Sequence, residues 1–218
     1  MCGIVLSVLN VAKSILQNRD AAFPYRLMTF LSFGSSIQNA VEGGDFDVID
    51  HILTLYSDKD FVADKYEGYM RFASDKAGQS HKEIIKIFRS LESLDERWHK
   101  HLLLMLDYYN VVLDCEPEEF DRTIWENMAI YFLFRPLPAA YHDEDFLSRI
   151  KFVIMSFLTN GLLMRVYDQE RIVDKAAMYS KEIEYSDENV SILLDKSYTE
   201  DCLSVQSLMS ILVSLCDI

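Results

Sequence analysis

Glycine and proline are scarce in this chain: 7 glycines and 4 prolines are spread over 218 residues. So few turn-forming residues argue against a sheet whose strands are joined by many tight hairpins. Alternation of apolar and polar residues never persists for more than a few positions, whereas helical spacing recurs along the chain. The sequence therefore predicts an all-α fold, an irregular multi-helix bundle of roughly eight to ten helices. We expect residues 1–218 to form a single domain.

Cysteine is also rare, and its occurrences are far apart, without a pair spaced as Cys-x-x-Cys. Such spacing supports neither a zinc site nor an iron–sulfur cluster, so no metal ligand is predicted within the chain. We interpret the cysteines as reduced thiols of a cytosolic protein. The start of the chain has no basic segment with a cleavage pattern, which agrees with a cytoplasmic location. The cysteines are Cys2, Cys115, Cys202 and Cys216.

Basic residues are outnumbered: 21 lysines and arginines face 35 aspartates and glutamates, for a formal net charge of -14 at pH 7. This charge repels a phosphate backbone, so nucleic acid is not an expected ligand. It would attract a basic partner, such as a lysine-bearing protein. Membrane association is not predicted either, because the apolar run over 150–166 is interrupted by Lys151, Asn160 and Arg165. That run is better explained as a helix in the protein core.

Familiar catalytic signatures are missing as well. The sequence has no glycine-rich phosphate loop, no nucleophile elbow and no His-Glu-x-x-His motif. Glu96 and His99 have the Glu-x-x-His spacing of di-iron helical bundles, but a second such pair is absent. A solvated helix start explains these two residues better. The residues alone identify no catalytic group.

Capping residues and apolar spacing predict where several helices begin. Asp45 is a good N-cap, and Ser80 followed three residues later by Glu83 predicts a capping box. Residues 95–112 have the spacing of one continuous helix. The segment 58–79 mixes aromatic and charged residues with two glycines. There we predict a short helix with flexible flanks and the one plausible internal boundary.

The most informative stretch covers residues 123–138, where Glu126 and Asn127 stand side by side in an almost wholly apolar run. A helix that is apolar on nearly every side belongs in a core, where a polar side chain is costly unless it is partnered. One explanation is structural: Glu126 forms a buried ion pair with an arginine of a neighbouring helix, Arg149 or Arg165.

The other explanation is functional. Asn127, Tyr131 and Arg135 follow one another at four-residue intervals, which predicts a stripe along one side of the helix with Glu126 beside it. Such a stripe could line a substrate or cofactor cleft between two helices. We therefore take Glu126, Asn127, Tyr131 and Arg135 as the candidate substrate-binding residues.

The same stretch resembles the flagellin lysine-N-methylase family, whose C-terminal part contains a segment E-N-x-x-x-Y-x-x-F-[KR] before a proline turn. The segment is matched by Glu126, Asn127, Tyr131, Phe134 and Arg135. A long apolar helix and an amphipathic helix follow in the family, as they do here from Phe146 and Asp168. The phrase Ile-Leu-Gln-Asn-Arg at 15–19 is similar to part of the family's middle region.

This resemblance implies a role in transferring methyl groups from S-adenosylmethionine to lysine side chains of flagellin. Family members carry an N-terminal cysteine cluster expected to hold an iron–sulfur centre, and this sequence lacks that cluster. Both cofactors are therefore implied by resemblance only, and we expect a helical C-terminal domain that is inactive alone. Within a site, Glu126 would accept a hydrogen bond from an amine, and Arg135 would hold a carboxylate. The alternative is a non-enzymatic helical scaffold that binds another protein through an apolar groove.

Overall fold

The computed structural model describes residues 2–115, 122–166 and 171–216. Within these ranges the chain is helical and contains no strand, which confirms the all-α prediction. The α-helices in chain order are α1 (Cys2–Leu16), α2 (Phe23–Glu42), α3 (Phe46–Ser57), α4 (Lys59–Asp64), α5 (Tyr66–Tyr69), α6 (Ala77–Ser90), α7 (Glu96–Asp107), α8 (Tyr109–Asp114), α9 (Arg122–Phe134), α10 (Ala140–Asp143), α11 (Phe146–Arg165), α12 (Ile172–Tyr179), α13 (Asp187–Thr199) and α14 (Val205–Ser214). Helices α5 and α10 are single turns, so the described ranges hold 12 longer helices, and the predicted count of eight to ten is too low.

The predicted count is too low because stretches predicted as one element are broken by local backbone geometry. Residues 95–112 contribute to both α7 and α8, since Tyr108 between them has φ -115° and ψ 28°, outside the helical range. The segment 58–79 holds α4, α5 and a 3₁₀ turn at Met70–Phe72 in place of one short helix. Aromatic side chains in this segment pack inward, and Tyr69 is buried.

Helix starts follow the predicted capping chemistry at one position and depart from it at another. Asp45 caps α3 by accepting a hydrogen bond from the Val48 amide at 3.2 Å, as predicted. The capping box predicted at Ser80 is wrong, because α6 already begins at Ala77. The Ser80 amide donates to the Lys76 carbonyl at 2.9 Å, so this serine lies inside the helix.

Helix α11 is the central element of the bundle and packs against α2, α6, α7, α8, α9, α12 and α13. It is the one helix in the described ranges that is long and apolar enough to cross a membrane, and 89% of its apolar window is buried inside the protein. Packing against other helices therefore accounts for its composition, as predicted for a core helix. Helix α2 approaches it closely at Gly34, where a Cβ would lie 2.4 Å from Cδ1 of Ile150.

Polar side chains that interrupt the apolar run of α11 are accommodated by hydrogen bonds to backbone carbonyls. Lys151 Nζ donates to the carbonyl of Ser197 at 2.6 Å, and Asn160 Nδ2 donates to that of Ser156 at 2.8 Å. Burial lowers the pKa of Lys151. Because a buried polar group is tolerated where it has a partner, these interruptions are compatible with a core position.

Helix α9 has one buried and one exposed face. Ala129 and Leu133 are fully buried where α9 packs against α1 and α11. Tyr131 and Phe134 point outward and are 45% and 48% exposed. The prediction of a helix buried on nearly every side is therefore wrong: the outer residues are apolar, but they lie at the surface. This outer face carries the candidate site.

Candidate functional site

Glu126 lies on the inner face of α9, where two arginines bind it. Its side chain is 7% exposed. Arg19 donates from Nε to Oε2 at 3.1 Å and from Nη2 to Oε1 at 3.0 Å, and Arg26 donates from Nη1 to Oε2 at 3.1 Å. The hydrogen bond from Arg19 is the main cause that lowers the pKa of Glu126. Both carboxylate oxygens are thus engaged by guanidinium groups, which supports the structural explanation of this residue.

The predicted partners of Glu126, Arg149 and Arg165, bind other groups instead. Arg149 forms a 2.7 Å ion pair with Asp143, and both arginines donate to backbone carbonyls. Arg149 donates from Nε to the Pro136 carbonyl at 3.0 Å, and Arg165 donates from Nε to the Cys115 carbonyl at 3.1 Å. The prediction was wrong because the Glu126 side of α9 packs against α1. The guanidinium groups within reach are therefore those of Arg19, between α1 and α2, and Arg26, in the first turn of α2.

Asn127 differs from its neighbour Glu126, because it is exposed rather than buried. Adjacent residues of a helix point about 100° apart, so one position can face the core while the next faces water. Asn127 and Tyr131 lie on the exposed face of α9, and Arg135, which directly follows the helix, is exposed as well. The predicted stripe exists, but it runs along the surface, and Glu126 beside it faces the core. We call Asn127, Tyr131, Phe134 and Arg135 the outer stripe of α9.

Glu184, which the sequence did not single out, meets the outer stripe. It is the last residue of a π-helix, Ser180–Glu184, that directly follows α12. Arg135 Nη2 donates to the backbone carbonyl of Glu184 at 2.8 Å, and Arg135 Nε lies 3.8 Å from Glu184 Oε1. The same guanidinium lies over the Tyr185 ring, 4.6 Å from its centroid. We call Tyr131, Arg135, Ser180, Glu184 and Tyr185 the Glu184 cluster.

The Glu184 carboxylate is buried and only partly compensated. Its side chain is 0% exposed, and Ser180 Oγ donates to Oε2 at 2.6 Å. Oε1 accepts no hydrogen bond from any residue in the described ranges. Burial raises the pKa of Glu184, against the opposing effects of Ser180, Arg135 and Tyr131. Burial also raises the pKa of Tyr131, and the nearby Glu184 carboxylate adds to that rise.

The π-helix that carries Glu184 is fixed by contacts with other parts of the bundle. Glu182 Oε2 accepts a hydrogen bond from the Leu94 amide at 2.7 Å, and Asn189 Nδ2 donates to the Glu182 carbonyl at 2.8 Å. Single π-turns in helical proteins occur frequently at functional sites, where they redirect a side chain. The position of Glu184 is therefore set by the bundle rather than by a loose loop.

The sequence did not predict this site, because residues 168–184 have the spacing of an ordinary amphipathic helix. The first residues of that predicted helix, 168–170, lie outside the described ranges. Helical spacing carries no signature of a π-turn. The one available signal was the pair Glu182 and Glu184 on either side of an isoleucine that packs inward. All three residues are buried, which an unbroken amphipathic helix does not allow.

Replacing Glu184 with glutamine is expected to stabilise the protein at neutral pH and to have little effect in acid. The folded-state pKa of Glu184 is raised above its unfolded value. The wild-type protein therefore loses stability as the pH rises from about 4 through the folded pKa, whereas the glutamine variant has no charge to bury. Urea unfolding from about pH 4 to about pH 8 measures this difference.

Glu126→Gln is the matched control, with the opposite sign. The pKa of Glu126 is lowered in the folded protein, so its contribution to stability is present above the ordinary carboxyl pKa and is lost as the pH falls. This substitution is expected to destabilise the protein at neutral pH and to lose its effect in acid. The same pH dependence for both variants would contradict the opposite environments of the two glutamates.

A cleft of about 460 Å³ lies between α1 and the junction of α3 and α4. Its lining includes the buried Ile15 and Tyr56 together with exposed polar side chains. Asp20 and Lys59 form a 2.7 Å ion pair at this cleft. No residue of the Glu184 cluster is part of its described lining, so the two features are separate.

The iron–sulfur cluster implied by the resemblance does not fit the described residues. Such a cluster is held by several cysteine thiolates. In the ranges that the structure describes, no group of three or more His, Cys, Asp or Glu side chains could hold a metal ion. Burial raises the pKa of Cys202 to about 11, so at neutral pH this residue is a protonated thiol rather than a thiolate ligand.

Comparison with known proteins identifies the family. A family model described as the FliB lysine N-methylase C-terminal domain matches residues 10–211. The match includes both the outer stripe of α9 and the π-helix with Glu184. A search of curated proteins and a search of solved structures found no match. Because the matched residues make up most of the 218, the chain belongs to the FliB lysine N-methylase C-terminal domain family.

Proposed function

We propose that this domain presents a lysine-bearing segment of flagellin for S-adenosylmethionine-dependent methylation, and that it does so together with a separate catalytic part. Membership of the lysine N-methylase C-terminal domain family supports the reaction class. The formal net charge of -14 supports a basic partner, because it steers cationic segments toward the surface. Alone, the domain adds no methyl groups.

The observation that carries the proposal is the outer stripe of α9 beside the buried Glu184 carboxylate. Tyr131, Phe134 and Tyr185 are exposed large aromatic residues, and the first two lie one turn apart on the same helix. Aromatic rings bind the aliphatic stem of lysine by apolar contact and its ammonium group by cation–π attraction. A neighbouring carboxylate adds a charge of the opposite sign. This combination suits a lysine-bearing segment better than an acidic or a purely apolar one.

The four candidate residues then divide between two roles. Asn127, Tyr131 and Arg135 face the substrate segment from the outer stripe of α9. Glu126 instead holds α9 against the residue Arg19 between α1 and α2 and against Arg26 at the start of α2. S-adenosylmethionine and the iron–sulfur centre belong to the catalytic part in this proposal.

The test is a comparison of flagellin methylation by mass spectrometry after co-expression with the catalytic part, with this chain, or with both. Methylated lysine is expected to increase strongly only when both are present. Tyr131→Ala and Phe134→Ala should each lower that increase about fivefold, the rate effect of about 1 kcal/mol. Tyr108→Ala, which alters an exposed tyrosine outside the outer stripe, is the matched control and should have no effect.

Two results would contradict the proposal. Equal methylation with the catalytic part alone and with both parts would show that this chain does not present the substrate. Flagellin that binds to this chain without any change in methylation would support a non-enzymatic scaffold instead.

A further inference from the structure

The Glu184 cluster already holds a cation, which is the guanidinium of Arg135. That group stacks on the Tyr185 ring and donates one hydrogen bond to the backbone carbonyl of Glu184. Its approach to the carboxylate itself is loose, because 3.8 Å between Arg135 Nε and Glu184 Oε1 is too long for a hydrogen bond. Arg135 therefore occupies the position of a cationic ligand without satisfying the carboxylate.

Glu184 Oε1 has capacity for one further donor. Among the described residues it accepts no hydrogen bond of regular geometry, although the Tyr131 hydroxyl approaches the carboxylate and the whole side chain is shielded from water. A buried carboxylate oxygen in this condition is unusual in folded proteins and is costly. The side chain of Arg135 lies beside this carboxylate and is itself 38% exposed. Rotation of Arg135 into solvent would remove the guanidinium from the Glu184 carboxylate and from the Tyr185 ring.

The chemistry of the opened site matches a lysine side chain. An ammonium group is a compact charge with three rotatable donors, so it can reach a recessed oxygen that the planar guanidinium does not reach well. The rings of Tyr131 and Tyr185 would flank its aliphatic stem. Both rings are exposed to solvent, at 45% and 70%.

We propose that Glu184 is the receptor for the ammonium group of an incoming lysine, that Tyr131 and Tyr185 form the walls of its site, and that Arg135 is a resident cation which the lysine displaces. This assignment rests on the proposed function and names the group of the substrate that the domain recognises. It reverses the role expected for Arg135 from sequence, because the arginine competes with the substrate instead of holding a carboxylate.

The test is an NMR titration of the full chain with lysine methylamide acetylated at its α-amine, with the norleucine analogue as the uncharged control. The lysine compound is expected to shift the Tyr131 and Tyr185 signals, and the norleucine analogue should not. Glu184→Gln should raise the dissociation constant at least about tenfold. Arg135→Ala should lower it about threefold or more, because it removes the competing cation. Circular dichroism spectra confirm that both variants are folded.

Weaker binding by Arg135→Ala, or equal binding of the two compounds, would overturn the assignment. If Arg135 contacted the ligand, its removal would raise the dissociation constant. If it competes with the ligand, its removal lowers the dissociation constant, so this variant decides between the two roles. Lysine binding without any effect of the chain on flagellin methylation would leave the Glu184 site intact and remove the proposed function. If the chain enhances methylation and Glu184→Gln does not change that enhancement, the proposed function stands and the assignment of the Glu184 site fails.

Discussion

Replacing Arg26 with methionine is expected to lower the free energy of unfolding by about 3 kcal/mol. The Arg26 side chain is 10% exposed and pairs with Glu126, which is buried as well. Its guanidinium also donates to the carbonyls of Ala21 at 2.9 Å and Leu16 at 3.2 Å. Methionine keeps much of the volume but removes the donor to both carbonyls. It also removes the buried partner of Glu126, whose charge is then compensated among the described residues by the exposed Arg19 alone. Urea unfolding at neutral pH measures the loss.

Arg19→Met is the matched control for this prediction. Arg19 binds the same carboxylate, but its side chain is 68% exposed. An ion pair with an exposed partner contributes little, so the expected loss is below about 1 kcal/mol. The difference between the two variants should shrink in acid, because protonation of Glu126 removes the charge that both arginines bind. Equal losses for Arg19→Met and Arg26→Met would show that burial of the pair does not govern its contribution.

The buried side of α9, with Glu126, was easier to predict from sequence than its exposed side. A carboxylate within an apolar run requires a partner, so the sequence correctly indicated a buried ion pair for Glu126. It could not identify the arginines, because they lie 107 and 100 positions earlier in the chain and reach Glu126 only through tertiary packing, such as that of α9 on α1. Spacing within α9 contains no information about which helix it meets.

The exposed side of α9 shows more clearly that spacing within one helix does not reveal its tertiary contacts. Four-residue spacing predicted the stripe that contains Tyr131 and Arg135, and both residues do lie on one face. Apolar composition did not predict that this face is exposed, because residue type alone does not distinguish an exposed aromatic side chain from a buried one. Glu184 lies 49 positions after Arg135 and meets it through a π-turn, which has no periodic signature.

The second large effect is expected at Tyr179, which connects the core to the π-helix. Tyr179 is fully buried, and its hydroxyl donates to Ser156 Oγ at 2.6 Å. Its ring lies 5.5 Å from that of Phe132 on α9 and 5.9 Å from that of Trp98 on α7. Tyr179→Ala is expected to lower the free energy of unfolding by about 4 kcal/mol, because it removes these contacts and leaves a cavity. The melting temperature should fall by roughly 10 °C.

Tyr179→Phe separates the ring from the hydroxyl. It keeps the aromatic contacts and loses one buried hydrogen bond, so a loss of about 1 kcal/mol is expected. Tyr179 immediately precedes Ser180, whose hydroxyl binds Glu184. The phenylalanine variant should therefore retain lysine binding, whereas the alanine variant should bind lysine more weakly even where it is folded. If both variants lost binding equally, the hydroxyl of Tyr179, and not the packing of its ring, would position the Glu184 carboxylate.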